Sequence, residues 1–481
     1  MNSHSPLTKK EKLFFILYLL FFFVTALVLA FFQPADNNPP LFSNPPDEHA
    51  RILIPEFIAL NGYLPTGLED EVIIPGYGFS YGLTPYLPFV IMGYAMRIVY
   101  LLGGSALSLI YTARFVNVCF GTVMAAVVFF LGRRIFSNKK YAMAFSVSVM
   151  FLPEHLFVHS YVNTESMCFL GIAILLLGLV SLYQGGADIK NTLTISMGLS
   201  IIISSYYNAY GYIVSAFLLF IVYFINFTSS EKEGAGKKLS SDHKSMFKYG
   251  FMIFGIVFAT SGWWFIRNII LFKGDIFGMR TRDALFHAAN PESWNSYRNS
   301  GYTIMEMLKL NPDYFPVVLK TFYASLGSVS IFCNDFYYII YELIYLTGLI
   351  LSLSFAISSI VKRKCGASGF KPVFFHINML FCILMPAFLH MYYVYVVEFQ
   401  RQGRYLLPML IPLVYYVIKG YERLENKKFK NSALNQLIKA VPCIITIWVF
   451  IAIVWMVFKV ALPVYLSDPV WNHVPPSQIF E

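Results

Sequence analysis

NPPDEHAR, residues 44–51, follows the first apolar run of the chain, Leu13–Phe32, after about a dozen residues. That run is long enough to cross a bilayer, because about twenty apolar residues span the hydrocarbon core. The motif therefore places two carboxylates, an imidazole and a guanidinium at the mouth of a membrane segment. Ionisable groups are costly to keep there and mark functional sites. We expect Asp47 and Glu48 to be the chemical centre of the protein.

The composition is that of a polytopic membrane protein. Of 481 residues, 57% are hydrophobic and 13% are charged, against about 25% charged in a soluble domain. The net charge is +10, but the basic residues gather in the segments assigned to the cytoplasm and the acidic ones in those assigned outside. The charge therefore reflects topology, and no nucleic-acid partner is expected. The six cysteines form neither a disulfide framework nor a zinc motif.

The apolar segments predict an all-α protein with about 11 transmembrane helices. The lysines before the first segment place the N-terminus in the cytoplasm, and the length of that segment indicates a retained helix and not a signal peptide. The expected spans are residues 13–32, 111–131, 141–152, 166–183, 192–205, 210–227, 249–270, 336–360, 373–396, 406–418 and 440–458.

Two further helices are expected on the outer surface next to the membrane. Residues 48–60 have the apolar spacing of a helix and stop at Asn61-Gly62. Residues 85–102 are apolar, but if they crossed the membrane the later pair Arg133-Arg134 would lie outside, against the charge rule. We therefore predict extracytoplasmic juxtamembrane helices within an outer loop at residues 33–110.

A structural alternative exists for the acidic pair. Asp at an N-cap and Glu in the first turn both suit a helix N-terminus, so the turn could simply cap the helix that follows. Capping does not explain the adjacent His49 and Arg51. A carboxylate held at the membrane boundary by Pro45-Pro46 can also act as a general base toward a hydroxyl group, and this interpretation is favoured.

The layout of the chain resembles that of the GT-C glycosyltransferases, the superfamily of the lipid A aminoarabinose transferase and the protein O-mannosyltransferases. An acidic pair one loop after the first span, two outer helices and an acid at the top of the fourth span carry the resemblance, over about the first 230 residues. GWWFIRN (262–268) and QGRYLLP (402–408) also resemble segments of bacterial members. The resemblance implies a GT-C-like bundle. It places the family's catalytic Asp on Asp47 and its second acid on Glu165, four residues after Tyr161.

The resemblance also implies a division of the chain. Residues 1–270 would form the catalytic transmembrane module, with the acidic motif in the loop at 33–110. Residues 271–335 would form a large outer loop, to whose residues no roles are assigned. Residues 336–481 would supply the C-terminal helices that complete the site for the lipid carrier.

One departure concerns the phosphate of the carrier lipid. The aminoarabinose enzyme places a Lys in the hairpin between spans five and six, whereas this chain has Tyr206, Tyr207 and Asn208 there. Guanidinium groups bind phosphate oxygens bidentately, so arginines at the outer ends of apolar spans are the expected substitutes: Arg404, Arg267 and Arg401. Each could instead reach lipid headgroups or pair with an acid such as Glu398, and for Arg401 this alternative is favoured.

Five more residues are candidates for contact with substrate or a metal ion: His49, Arg51, His155, Tyr207 and Asn268. Glu154, His155 and His159 share the loop that carries Glu165 and could hold a divalent cation. Their spacing matches no standard motif, so hydrogen bonding within the loop is favoured. The sequence requires no cofactor, and its metal need stays open.

These observations predict a glycosyltransferase of the bacterial inner (cytoplasmic) membrane. It would transfer a sugar, with inversion, from a polyprenyl-phosphate donor to a cell-wall polymer, lipopolysaccharide or glycolipid acceptor on the extracytoplasmic face. Asp47 would be the base, assisted by Glu48 or Glu165. The alternatives are a flippase or transporter for lipid-linked oligosaccharides, which should carry polar residues at mid-bilayer, and a polysaccharide polymerase. The ionisable residues gather at the outer rim, which favours chemistry at the surface.

Overall fold

The computed structural model describes residues 6–35, 45–228, 238–290, 296–362, 370–427 and 429–467. This part of the chain is helical apart from one antiparallel hairpin, β1 (Ile225–Thr228) with β2 (Lys238–Ser241). The first helices are α1 (Lys9–Phe32), α2 (Glu48–Arg51), α3 (Leu53–Asn61), α4 (Leu87–Leu101), α5 (Ala106–Ile135), α6 (Lys139–Met150), α7 (Pro153–Val158), α8 (Glu165–Gly185), α9 (Ile189–Ile203) and α10 (Gly211–Phe224). The remaining ones are α11 (His243–Leu271), α12 (Met279–Ala289), α13 (Ile304–Leu310), α14 (Tyr314–Tyr323), α15 (Asp335–Lys362), α16 (Phe370–Val396), α17 (Leu410–Glu425), α18 (Ser432–Trp455) and α19 (Leu462–Ser467).

Eight helical segments of the described chain are long and apolar enough to cross a membrane. They are α1, α5, α8, the turn before α10 together with α10, α11, α15, α16, and the continuous run from α18 through α19. They coincide with eight of the expected spans. The other three expected spans fall on α6, α9 and α17, with 12, 15 and 16 residues. The polytopic all-helical fold is confirmed, and the count of eleven spans is not.

The helix α8 lies at the centre of the bundle. Its residues are buried almost without interruption from Glu165 to Leu182. Gly171 and Gly198 let α9 lie against it, since a Cβ at Gly198 would come within 2.5 Å of the Leu175 backbone. This burial sets Glu165, the first residue of α8, inside the protein instead of at a lipid-facing end.

Helices form at both segments that the sequence predicts as outer helices, residues 48–60 and 85–102. The segment 48–61 is divided into α2 and α3, and it ends at Gly62, whose φ of 81° is the left-handed geometry that glycine adopts without strain. Helix α4 packs on α3 through Gly93, where a Cβ would meet Ile58 at 2.6 Å. Together they build a platform above α5.

Residues 271–335, expected to form a large outer loop, contain α12, α13 and α14. Helix α12 lies on the loop before α4, where Phe286 contacts Phe79 and Tyr77. Residues 228–248, between the sixth and seventh expected spans, lie partly outside the described residues, and α11 begins at His243, before the expected start at 249. Helix α12 and the loop beneath it enclose the space that Asp47 faces.

Candidate active site

Asp47 stands at the junction between the proline pair and α2. Its φ is 60°, in the left-handed region that Asp and Asn enter more readily than most residues. The sequence suggested that Asp47 caps α2, but its side chain accepts no hydrogen bond from the helix N-terminus. Its Oδ2 accepts instead from Nη2 of Arg404, at 2.7 Å. The carboxylate is about 40% exposed, so it remains open on one side.

Asp47 belongs to a cluster of four charges. Arg51 donates to both oxygens of Glu165, at 2.5 and 2.9 Å, and its Nη2 lies 3.7 Å from Oδ2 of Asp47. Arg51, Glu165 and Arg404 are all buried. Two cations and two anions balance within the cluster, as buried charges must. The structure therefore brings together the first outer loop, the top of α8 and the segment before α17.

The two arginines keep Asp47 ionised. Burial raises the pKa of Asp47, but the charges of Arg404 and Arg51 outweigh that effect, so its pKa lies below the ordinary value. Tyr161 adds a contact from its hydroxyl to Nη1 of Arg404 at 3.3 Å. The Arg404 guanidinium is thus fixed beside Asp47, while its buried Nε has no hydrogen-bond partner in the described chain.

Glu48 has a different environment. Its oxygens accept from Nε and Nη2 of Arg114, at 3.0 and 2.5 Å, and from the backbone N–H of Val162 at 2.8 Å. Arg114 is fully buried and also donates to the carbonyl oxygens of Ala30 and Gln33. Glu48 does not line the cavity that Asp47 faces. We assign Glu48 to holding the outer loop on α1 and α5.

A cavity of about 320 Å³ opens in front of Asp47. Of the predicted site residues, Asp47, His49, Arg51 and Tyr207 line it. A third of the residues that line it are aromatic: Tyr77, Phe79, Tyr81, Phe89, Tyr206, Tyr207, Tyr393 and Tyr405. A second, more open cavity of about 490 Å³ shares Tyr207 and Met279 with the first. An apolar cavity with a few converging polar groups is the usual form of a small-molecule site.

One wall of the first cavity is a chain of hydrogen bonds that begins at Asp47. Nη2 of Arg404 donates to the Tyr405 hydroxyl at 3.2 Å, and that hydroxyl donates to Oε1 of Gln400 at 2.8 Å. Gln400 in turn donates through Nε2 to Oε2 of Glu398, at 2.8 Å. Tyr405, Gln400 and Glu398 all line the cavity. Their positions are therefore fixed relative to the carboxylate of Asp47.

Arg267 and Asn268 do not reach this cavity. Nη2 of Arg267 donates to the carbonyl oxygens of Pro65 and Thr66, at 2.8 and 2.7 Å, and its Nη1 donates to Oδ1 of Asn268. The guanidinium also stacks on Trp264 at 4.6 Å. In this arrangement Arg267 anchors the first outer loop to α11.

Arg401 and His155 also lie away from the cavity. Arg401 forms an ion pair with Asp313 and not with Glu398, the partner that the sequence suggested. His155 is buried, and its ring lies 4.7 Å from that of His159. Within the described chain no group of three metal-ligating side chains is found.

Glu154, beside His155, is buried as well. Its Oε2 accepts from the backbone N–H and the hydroxyl of Ser325, at 2.6 and 3.0 Å. Burial raises the pKa of Glu154 to about 8, although the Ser325 hydrogen bonds and the charge of Arg404 act in the opposite direction. Glu154 is thus hydrogen-bonded, but its partner Ser325 lies outside the loop, in the segment that follows α14.

The sequence missed three residues that line the cavity. Arg282 of α12 stacks on Phe79 at 5.0 Å, and its Nε is buried without a hydrogen-bond partner in the described chain. His390 contacts the carbonyl oxygen of Gln400 through Nε2, at 3.1 Å. Glu398 was weighed only as a partner for arginine. The predicted topology could have indicated them, because it places the later segments that carry them at the same outer face as Asp47.

The fold is shared with known GT-C membrane glycosyltransferases. An oligosaccharyltransferase from Archaeoglobus fulgidus, solved with a tethered acceptor peptide, superposes with a TM-score of 0.51 at 11% identity. The match covers 97% of this chain and 56% of that protein, so this chain spans little more than half its length. ArnT from Cupriavidus metallidurans, solved with undecaprenyl phosphate, gives 0.46 at 9% identity, covering 97% of this chain and 76% of that one. These likenesses concern the fold.

Sequence comparison gives a family but no characterised relative. No curated protein matches the chain. A family described as "Predicted membrane protein (DUF2142)" matches residues 76–414, well over half of the sequence. That segment carries Glu165, Arg282, Glu398 and Arg404, whereas Asp47 precedes it. The GT-C-like bundle that the sequence predicted is confirmed, and the chain belongs to the DUF2142 membrane protein family.

Proposed function

We propose that this protein is a membrane glycosyltransferase that moves a sugar from a polyprenyl-phosphate donor to an acceptor hydroxyl. The observation that carries the proposal is the half-open carboxylate of Asp47, held ionised by Arg404 at the wall of a 320 Å³ cavity. A fixed carboxylate beside arginines, facing an aromatic cavity, suits a reaction in which a hydroxyl is deprotonated and an anion departs.

Asp47 acts as the general base in this scheme. No hydrogen bond to its Oδ1 is found among the described residues, so that oxygen is available to an acceptor hydroxyl. The lowered pKa keeps Asp47 ionised at neutral pH but makes it a weak base, so the proton moves as attack proceeds. The acceptor oxygen forms a bond to the anomeric carbon while the bond from that carbon to the phosphate oxygen breaks. The proton ends on Asp47, and the lipid phosphate leaves on the opposite face, with inversion.

The leaving phosphate requires positive charge. Arg404 stays our first candidate, because its buried guanidinium adjoins the base. It does not line the cavity, so it acts on the phosphate through its charge. Arg282 joins it in place of Arg267 and Arg401, whose guanidinium groups are committed elsewhere. A preorganised guanidinium stabilises charge that develops in the transition state. Glu165 has the role of holding Arg51 and, through it, the position of Asp47.

The shared fold supports the proposal, since the oligosaccharyltransferase that superposes on the chain belongs to the same superfamily of membrane glycosyltransferases. The location of the reaction rests on the charge pattern. Arg133 and Lys139 pair with Glu11 at the start of α1, whereas Asp47 follows the other end of that helix, so we place the cavity on the extracytoplasmic side of the cell membrane. The acceptor proposed from the sequence is a glycan or glycolipid.

The test uses the full chain in lipid nanodiscs with a panel of radiolabelled polyprenyl-phosphate sugars and cell-envelope glycan acceptors. We expect the wild type to transfer label from at least one donor and Asp47→Asn to lose about 100-fold or more of the rate, the usual contribution of a general base. Glu71→Gln, which removes an exposed carboxylate of the same outer loop, should transfer as the wild type does. Undiminished transfer by Asp47→Asn would contradict the assignment. In sealed proteoliposomes, movement of label across the bilayer without transfer would favour the flippase alternative.

A further inference from the structure

We propose that Glu398, together with Gln400 and Tyr393, forms a subsite that binds the hydroxyl groups of an acceptor sugar ring. The inference rests on the proposed function, because only a transferase would use the bound sugar as an acceptor. It names the chemical class of that acceptor. Neither the sequence motifs nor the charge cluster around Asp47 assigns a role to these side chains.

The carboxylate of Glu398 is held by hydrogen bonds to one of its two oxygens. Its Oε2 accepts from Nε2 of Gln400 at 2.8 Å and from the hydroxyl of Tyr393 at 3.4 Å. No hydrogen bond or ion pair to its Oε1 is found among the described residues. The side chain is exposed and lines the cavity. A positioned carboxylate oxygen of this kind is a strong acceptor for a hydroxyl donor.

The subsite is also joined to the proposed base. Gln400 accepts from Tyr405, Tyr405 accepts from Arg404, and Arg404 donates to Asp47. The segment that carries them is held on α14, since the N–H of Gly403 donates to the Thr321 hydroxyl at 2.7 Å. A ring bound at Glu398 would therefore be held at a constant position relative to Asp47, which is the requirement for orienting one hydroxyl among several.

The rest of the cavity favours a sugar over other ligands. A sugar ring has apolar C–H faces and hydroxyl groups at its rim, and the cavity offers aromatic rings together with a carboxylate and an amide. Its volume of about 320 Å³ lies at the lower end for ligand sites, ~300 to 1,000 Å³. It therefore suits monosaccharide-sized groups.

A cationic ligand is the competing class for a carboxylate beside tyrosines. Arg282 argues against it, because this cation lines the same cavity and no ion pair to it is found within the described residues. An ammonium group placed at Glu398 would therefore lie near a second positive charge, whereas a neutral hydroxyl would not suffer from it.

The test measures binding without any donor lipid. The wild-type chain in nanodiscs is mixed with methyl glycosides of several hexoses, and saturation-transfer NMR reports which ring protons approach the protein. We expect a signal from at least one glycoside, an affinity loss of 10-fold or more in Glu398→Ala, and an intermediate loss in Glu398→Gln, whose amide still accepts a hydrogen bond. Glu71→Gln should bind as the wild type does, and thermal unfolding confirms that each variant is folded.

The outcomes separate this inference from the proposed function. Unchanged binding in Glu398→Ala, or no binding of any glycoside by the wild type, overturns the subsite. Binding of a methyl glucosaminide, whose amine is protonated, but of no neutral hexoside would mean that charge alone is recognised, which also overturns the subsite in favour of a cationic ligand. Binding that depends on Glu398 in a protein that transfers nothing from any polyprenyl donor leaves the subsite standing and rejects the glycosyltransferase.

Discussion

Asp47 combines an unusual backbone with an unusual partner. Its positive φ turns the side chain away from the helix it precedes, and Arg404 donates a hydrogen bond to its carboxylate. Asn tolerates the same backbone conformation, so Asp47→Asn changes the chemistry without straining the turn. A β-branched residue at this position would alter both, and its effect on activity could not be attributed to the carboxylate.

The pH profile of transfer depends on Arg404. This guanidinium lowers the pKa of Asp47, so wild-type activity should stay level from neutral pH down to about pH 5 and fall only in more acidic solution. Removing the charge in Arg404→Met should raise the pKa of Asp47 and move the acidic limb of the profile to higher pH. Arg401→Met, which removes an arginine paired with Asp313, should keep the wild-type profile. An unmoved limb in Arg404→Met would contradict the ion pair.

Glu154 gives the folded protein a pH dependence of its own. Its pKa rises from 4.5 to about 8 on folding, so between these values the unfolded chain is ionised while the folded chain keeps the proton. Stability should therefore fall as pH rises through this window. Glu154→Gln lacks the titration, so its stability relative to the wild type should grow toward pH 8, by at most about 4 kcal/mol. Apparent melting temperatures from pH 5 to pH 8 measure this, and parallel curves would refute it.

At the scale of elements, α12 covers the cavity because two glycines let it approach the loop beneath. A Cβ at Gly278 would collide with the carbonyl oxygen of Leu83, and a Cβ at Gly78 would collide with Ala289. Both glycines also have positive φ. The helix places Arg282 and Met279 in the cavity wall, so a shift of α12 would change the shape of the site.

Gly278→Ala should displace α12 and weaken glycoside binding and transfer together, while leaving the bundle folded. Gly274→Ala is the matched control, because Gly274 also has positive φ but a Cβ there would meet nothing within 4 Å. Hydrogen exchange across residues 272–290 should rise in Gly278→Ala well beyond the rise in Gly274→Ala. Equal rises in the two variants would mean that backbone strain, and not the contact with Leu83, governs the helix.

The sequence predicts elements better than it predicts their contacts. The break at Asn61-Gly62 and the long apolar runs identify helices because they depend on local pattern alone. Arg267 was expected at a phosphate, but it lies on backbone carbonyls at 65 and 66. Carbonyl groups exist at every residue, so no residue type marks them as partners. Arg404 was expected from its place at the end of an apolar span, and the structure puts it beside Asp47.

At the scale of the whole molecule, the site exists only where distant segments meet. Arg51 and Glu165 are 114 residues apart, and Asp47 and Arg404 are 357 apart. Pairing over such separations depends on how the bundle closes, which periodicity does not encode. One signal was present: Arg114 stands inside an apolar span, and an intramembrane arginine demands a partner. A search for the partner of Arg114 would have led to Glu48 and indicated a structural role for that carboxylate.

Arg114 joins α1, the first outer loop and α5 through Glu48 and the carbonyl oxygens of Ala30 and Gln33. Removing one partner of a buried pair leaves the other charge uncompensated, so Arg114→Met should cost about 3 to 5 kcal/mol. The double variant Glu48→Met with Arg114→Met should regain much of that stability, because two apolar side chains can replace a buried pair. Thermal unfolding in nanodiscs compares the three proteins. Should the double variant be no more stable than Arg114→Met, the carbonyl contacts of Arg114, and not its charge balance with Glu48, hold the outer loop on the bundle.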